Sequence, residues 1–178
     1  MNGNQNSTVF AVQTAILNLL ELIEQAVRGA EKEEIEGLDE EAQKTVLMLI
    51  AAIVLSDHKY KPAEQAFLRV LVDWQDKLGG EASYLNEYAT QWTDASVRVP
   101  GFFQAAVQHD ARHQTGIARA MLREIQLIGN NVCISDGSFE AVEHETVKRY
   151  LVFLEEFMLA WDAQAKTRES APNGWSSV

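Results

Sequence analysis

The chain has 178 residues, 47% of them hydrophobic, which suits one ordinary globular core and is too short for two large domains. Fifteen Lys and Arg against 26 Asp and Glu leave a net charge of -11, which disfavours nucleic acid and anionic membranes as partners. The only cysteine, Cys133, excludes an intrachain disulfide, and the polar start 1–8 lacks the features of a secretory signal. We therefore expect a cytoplasmic protein. The longest apolar run, 46–55, is about half the length of a membrane span, so no transmembrane segment is predicted.

Two helices are predicted at the start of the chain from apolar residues at helical spacing. The first follows Ser7, a candidate N-cap, and ends at Gly29. The acidic stretch 31–37 comes next, either as a solvated connector or as a short charged helix. Asp39 is the predicted N-cap of the second helix, which stops near Asp57.

A proline and two glycines mark the next helix. Pro62 is typical of a first helical position, and the pair 79–80 is typical of an end. A shorter helix is predicted over 81–92. The segment 93–101 contains the best strand-like fragment, 96–99, but no second strand could pair with it, so we predict a loop.

The rest of the chain is predicted to be helical over 102–135, with a break near 114–116, and again over 140–165. The sequence contains no βαβ alternation and no signal for a β-hairpin. The predicted fold is all-α, a single bundle of about six or seven helices. The predicted parts are a disordered N-terminus (1–7), a single helical domain (8–166) and a disordered tail (167–178).

Two segments, 48–74 and 127–153, match when offset by 79 residues. Each is an apolar helix, a loop that opens with Ser-Asp, an aromatic residue, and a helix with Glu in its first turn. Two copies are too few for a solenoid, so they predict two helical hairpins related by a pseudo-twofold axis. The residues expected to join the hairpins are Ile53, Val54, Val132 and Ile134.

The second copy contains ISDGSFEAVEHE over 134–145, which combines Asp-x-x-aromatic with a Glu seven residues after the Asp. This pattern resembles the TerB-like (tellurite-resistance) domain family over about residues 40 to 160. In the first copy, His58 stands where the family usually has Gly. The resemblance implies an all-helical bacterial domain whose clustered acidic residues are proposed to bind divalent metal. It also implies a link to membrane-associated stress and phage defence.

Four carboxylates in the two copies are the main candidate metal ligands: Asp57, Glu64, Asp136 and Glu143. Together they could hold Ca²⁺ or Mg²⁺ if the two loops approach each other. The alternative is that they cap helices, because Asp near a loop start and Glu in a first turn both stabilise a helix N-terminus. The spacing is too short for an EF-hand loop.

A second candidate metal site is the pair His109 and His113, which share one helical face and could bind Zn²⁺. The general-base Glu of a zincin motif is absent, since Asp110 follows the first histidine. The alternative is two surface histidines without a metal. Cys133 lies on an apolar helix face and is interpreted as a core residue.

These patterns predict a non-enzymatic interaction domain of bacterial stress or defence, with a protein partner and possible control by a divalent cation. No catalytic residue is predicted, a homodimer is compatible with the sequence, and any membrane association would be peripheral and through partners. One alternative is a metal-dependent hydrolase that uses His109, His113 and the four carboxylates. Another is the N-terminal adaptor region of a larger multidomain protein.

Overall fold

The computed structural model describes residues 3–56, 61–75, 82–135 and 140–170. Within these ranges the chain forms seven α-helices and no strand, so the predicted all-α class is confirmed. The helices are α1 (Gly3–Ala26), α2 (Lys32–Val54), α3 (Pro62–Gln75), α4 (Ala82–Ala95), α5 (Gly101–His113), α6 (Ile117–Cys133) and α7 (Ala141–Ser170).

Helix α6 lies at the centre of the bundle and packs against α1, α2, α5 and α7. Its apolar residues recur every three or four positions, which places them on faces that turn away from water. The α6 residues buried in this way include Ile117, Met121, Ile125, Ile128 and Val132. Helix α2 also contacts α4 and α7, and α3 packs against α1.

Helix α1 is the one described helix with a stretch, Asn6–Ala26, long and apolar enough to cross a membrane. Polar residues such as Gln13 interrupt it, so it does not appear as an unbroken apolar run. Its Val12 and Ile16 side chains are buried in the common core. A core helix meets the same criterion of length and composition, so the stretch alone indicates little about a membrane.

Two predicted N-caps are wrong. Ser7 lies inside α1, which begins at Gly3, and Asp39 lies inside α2. The acidic stretch 31–37 forms the first turns of α2, because acidic residues near a helix N-terminus interact favourably with its dipole. The disorder predicted for the two ends of the chain stays a prediction.

Other helix ends agree with the sequence. Pro62 begins α3, and the predicted break between α5 and α6 is present. Gln114 (φ 55°) and Gly116 (φ 78°) there both adopt left-handed backbone conformations. The fragment 96–99 is a loop, as predicted. Helix α7 extends to Ser170, five residues beyond its predicted end, and the pair 79–80 lies outside the described residues.

The helices α2 and α6 end in the same way. Their C-cap residues are Leu55 (φ −98°, ψ 1°) and Ile134 (φ −101°, ψ 5°), which are 79 residues apart. The Leu55 amide donates to the Ala51 carbonyl, and the Ile134 amide donates to the Asn130 carbonyl. The local geometry before the two loops is therefore the same in both copies.

One residue expected to join the hairpins does not do so. Ile53, Val54 and Val132 are buried in the core, but Ile134 is 50% exposed. The helix has already ended at Ile134, so its side chain no longer follows the buried face. The prediction for Ile134 is therefore wrong.

Helices α6 and α7 approach closely at Gly129. A Cβ atom built on Gly129 would lie 2.6 Å from Cγ1 of Val147, too close for any real contact. The absence of a side chain at Gly129 allows Val147 to pack against the backbone of α6.

Candidate functional site

The starts of α3 and α7 lie next to each other. Nζ of Lys61 is 3.5 Å from Oε1 of Glu140, and both side chains are partly exposed. These residues directly precede the two helices and hold equivalent places in the 79-residue repeat. The loops that contain Asp57 and Asp136 therefore end at neighbouring points, although both aspartates lie outside the described residues.

Glu64 is a buried carboxylate in the first turn of α3, with 3% of the residue exposed. Its Oε2 accepts a hydrogen bond of 2.7 Å from the backbone amide of Lys61. A glutamate that bonds back to the amide three residues earlier is half of a capping box. The capping interpretation is therefore confirmed at Glu64, and its metal role stays a prediction.

Glu143 holds the equivalent position in α7 and is also buried, with 2% of the residue exposed. It lies close enough to Cys133 to affect that side chain. Burial raises the pKa of the Cys133 thiol to about 12, with a further contribution from the negative charge of Glu143. Cys133 is therefore protonated at neutral pH, as expected for a core residue and not for a nucleophile.

The imidazole rings of His109 and His113 lie side by side on the last turn of α5, with centroids 4.5 Å apart. Asp110, between them in sequence, binds α6 instead. Its Oδ1 accepts hydrogen bonds from the Ile117 amide (2.9 Å) and the Thr115 hydroxyl (2.6 Å). Its Oδ2 accepts a bond of 2.8 Å from the amide of the residue after Ile117.

Asp110 thus caps α6 from the preceding helix, a role that the sequence analysis missed. The N-cap residue of α6 is Gly116, which has no side chain to accept a hydrogen bond. A signal was present, since the first amides of a helix need acceptors and an acidic side chain lay one turn earlier. No group of three or more His, Cys, Asp or Glu suited to a metal occurs in the described ranges.

A second distant carboxylate caps α5. Oε2 of Glu41, on α2, accepts a hydrogen bond of 3.2 Å from the Phe102 amide. A Cβ atom on Gly101 would lie 2.9 Å from that oxygen, so glycine leaves room for the carboxylate. No sequence pattern could have identified this cap, because 61 residues separate donor and acceptor.

Asp39 lies in a charged cleft between the end of α1 and the start of α2. Burial raises the pKa of Asp39, and the nearby negative charges of Glu24 and Glu36 raise it further. Its Oδ1 is buried and has no hydrogen-bond partner among the residues described. The ionised form of Asp39 is therefore disfavoured in the folded protein.

Comparison with known proteins identified no relative. No family model, curated protein or solved structure matches this chain significantly.

Proposed function

We propose that the chain is a non-enzymatic, TerB-like interaction domain of bacterial stress or defence, in which a divalent cation at the paired loops controls binding of a protein partner. The observation that carries the proposal is the contact of Lys61 with Glu140. Asp57 and Asp136 precede these residues by four positions, so each lies within about 14 Å of its loop end. This distance is short enough for the four predicted carboxylates to meet at one end of the bundle, which the proposal requires.

A pseudo-twofold relation between the hairpins supports convergence of the loops. Equivalent positions meet each other at a twofold axis, and Lys61 and Glu140 are equivalent. The matched helix ends at Leu55 and Ile134 agree with this arrangement.

The chemistry of the candidate ligands suits a hard cation. Ca²⁺ and Mg²⁺ prefer oxygen ligands, and carboxylates such as Glu64 and Glu143 supply them. The ammonium group of Lys61 lies beside Glu140, at the start of α7. Its positive charge repels a metal cation that binds nearby. We therefore expect affinity weak enough for a cation to act as a regulator and not as a permanent structural component.

Partner binding follows from the charge and the absence of a predicted catalytic set. A formal charge of -11 favours a protein partner with a basic surface, because complementary potentials accelerate association. The proposed compartment is the cytoplasm.

The test is a thermal melt of the whole chain with Ca²⁺, Mg²⁺ or Mn²⁺ against a chelator. A cation that binds only the folded state at a hundred times its Kd adds about 2.7 kcal/mol of stability. We expect this shift in the parent and its loss in Asp136→Asn with Glu143→Gln. The matched control is Asp94→Asn with Glu155→Gln, which removes the same two charges from exposed positions.

The proposal is wrong if the parent shows no cation-dependent shift, or if the site double variant retains the whole shift. A Zn²⁺-dependent shift that disappears in His109→Ala with His113→Ala would move the metal to the histidine pair. Turnover of an ester, phosphoester or peptide substrate that is lost in His113→Ala would establish the hydrolase alternative instead.

A further inference from the structure

An open cavity of about 540 Å³ lies between α2, α4 and α7, a volume within the range of small-molecule sites. Two buried aromatic residues line it, Trp92 and Tyr150, whose rings meet edge to face with centroids 4.7 Å apart. Leu55 and Phe153 add further apolar surface, and Val97, which is 68% exposed, lies at the rim. The cavity thus has an apolar, largely buried interior and a solvent-exposed edge.

Tyr150 is the more deeply buried of the two aromatic residues that line the cavity. The residue is 98% buried, and its hydroxyl oxygen has no hydrogen-bond partner among the described residues. Burial raises the pKa of Tyr150, and Glu41 raises it further, so the phenol stays a hydrogen-bond donor at physiological pH. A buried polar group without a partner costs stability.

Arg149 is the only charged residue among the cavity-lining residues that the structure describes. Its Nε donates a hydrogen bond of 2.9 Å to Oε1 of Glu145. A guanidinium has five N–H donors, so this bond leaves four that a carboxylate can approach. Arg149 therefore places a cationic group at the rim of the cavity, in an ion pair with Glu145 that leaves further donors for a ligand.

We propose that this cavity binds a single-chain anionic amphiphile of the fatty-acid type, with its apolar chain among Trp92, Leu55 and Phe153 and its carboxylate at Arg149. The apolar lining selects the chain, and the guanidinium of Arg149 selects the sign of the head group. This site is independent of the proposed cation site, since it uses none of the four predicted metal ligands.

The test is isothermal titration calorimetry of the parent chain with sodium decanoate below its micelle-forming concentration, with decanol and a trimethylammonium amphiphile of similar length for comparison. We expect saturable binding of decanoate and weaker binding of the cationic amphiphile. Arg149→Met should weaken decanoate binding about tenfold, the effect of one charge-assisted hydrogen bond, and leave decanol unchanged. The control Arg119→Met removes an exposed arginine from α6 and should leave both unchanged.

Two further experiments test the exposed residue Val97 at the rim and the buried residue Tyr150. Val97→Lys should strengthen decanoate binding and Val97→Glu should weaken it, and both substitutions lie at an exposed position that folding tolerates. Tyr150→Phe should raise the melting temperature of the free protein, because it removes a buried hydroxyl without a partner among the described residues, and should leave decanoate binding unchanged, because the carboxylate lies at Arg149.

The proposal is overturned if decanoate shows no saturable binding, if Arg149→Met retains the parent affinity, or if the cationic amphiphile binds as tightly. It is also overturned if sedimentation detects a parent dimer that Val97→Glu dissociates and decanoate does not, because the occupant would then be a second copy of the chain.

Discussion

The helix pairs α2–α3 and α6–α7 share the backbone angles at the end of their first helix but differ in the residues at equivalent positions. Both first helices end with the same backbone angles, and both second helices carry a buried glutamate in the first turn. At the crossing of α6 and α7, Gly129 admits Val147 against the backbone. The equivalent residues of the first hairpin are the large, buried Ile50 and Leu68. The two helix pairs thus share the end of their first helix, and the small residue Gly129 allows the close approach of α6 and α7.

The largest effect should come from Ile50→Ala, because it removes a fully buried side chain and leaves a cavity. We expect a loss of about 2 to 5 kcal/mol in the free energy of unfolding, measured by urea denaturation. The control is Ile134→Ala, at a half-exposed isoleucine, which should cost less than about 1 kcal/mol. Equal losses of stability in Ile50→Ala and Ile134→Ala would contradict the difference in burial between the two residues.

A smaller loss of stability is expected from Gly129→Ala, which adds a methyl group to a packed site instead of removing a side chain. The new Cβ would overlap Val147, so overpacking should cost about 1 to 3 kcal/mol. The same substitution at Gly37, in the exposed part of α2 with no atom within 4 Å, should stabilise the protein by about 0.5 to 1 kcal/mol.

A double-mutant cycle completes that test. In a Val147→Ala background, Gly129→Ala should cost less than it does in the parent, because the clashing methyl groups are gone. An unchanged cost would contradict the close approach of α6 and α7.

The first helices of the two hairpins also differ in their N-terminal caps. Both carboxylate oxygens of Asp110 accept hydrogen bonds from backbone amides at the start of α6, whereas Glu31 at the start of α2 makes no capping hydrogen bond. Asp110→Ala should therefore cost about 1 to 2 kcal/mol in a thermal melt, and Glu31→Ala should cost almost nothing. Comparable losses in the two variants would mean that the cap at Asp110 contributes little.

The smallest expected effect concerns Asp39, whose equivalent in the second hairpin is the buried Ala118. Folding raises the pKa of Asp39, so the folded protein holds this proton more tightly than the unfolded chain. The contribution of Asp39 to stability is most favourable below the pKa that Asp39 has in the unfolded chain. It is lost as the pH rises through the pKa that Asp39 has in the folded protein.

Asp39→Asn should remove this loss and stabilise the protein at pH 7 by less than about 1 kcal/mol, with a smaller gain at pH 4. Urea denaturation across that range measures the difference. Glu40→Gln removes the neighbouring exposed charge and serves as the control. A gain that is the same at both pH values would argue against titration of Asp39 as its cause.

The sequence predicted features that depend on a few adjacent residues. Pro62 begins a helix because its ring fixes a helical φ, and the break at 114–116 contains Gly116, which tolerates left-handed backbone. The proposed caps at Ser7 and Asp39 failed because a good cap residue inside a helical pattern does not itself end the helix. Tertiary packing and charge at the helix start extended α1 and α2 beyond them.

The candidate site was predictable only in part. The 79-residue repeat correctly placed Glu64 and Glu143 at equivalent positions, since both lie in the first turn of a helix. The cap from Glu41 to Phe102 depends on how α2 and α5 dock, which no local pattern encodes. Asp57 and Asp136 lie outside the described residues, so their convergence stays a prediction.

The cap from Glu41 has a consequence for hydrogen exchange. Amides in the first turn of a helix normally exchange with solvent by local fraying, since no carbonyl of their own helix accepts them. The Phe102 amide is instead held by a side chain of α2, and Gly101 has no Cβ atom that would displace that carboxylate. Exchange at Phe102 therefore reports separation of α2 from α5, and its protection measures the cohesion of the whole bundle.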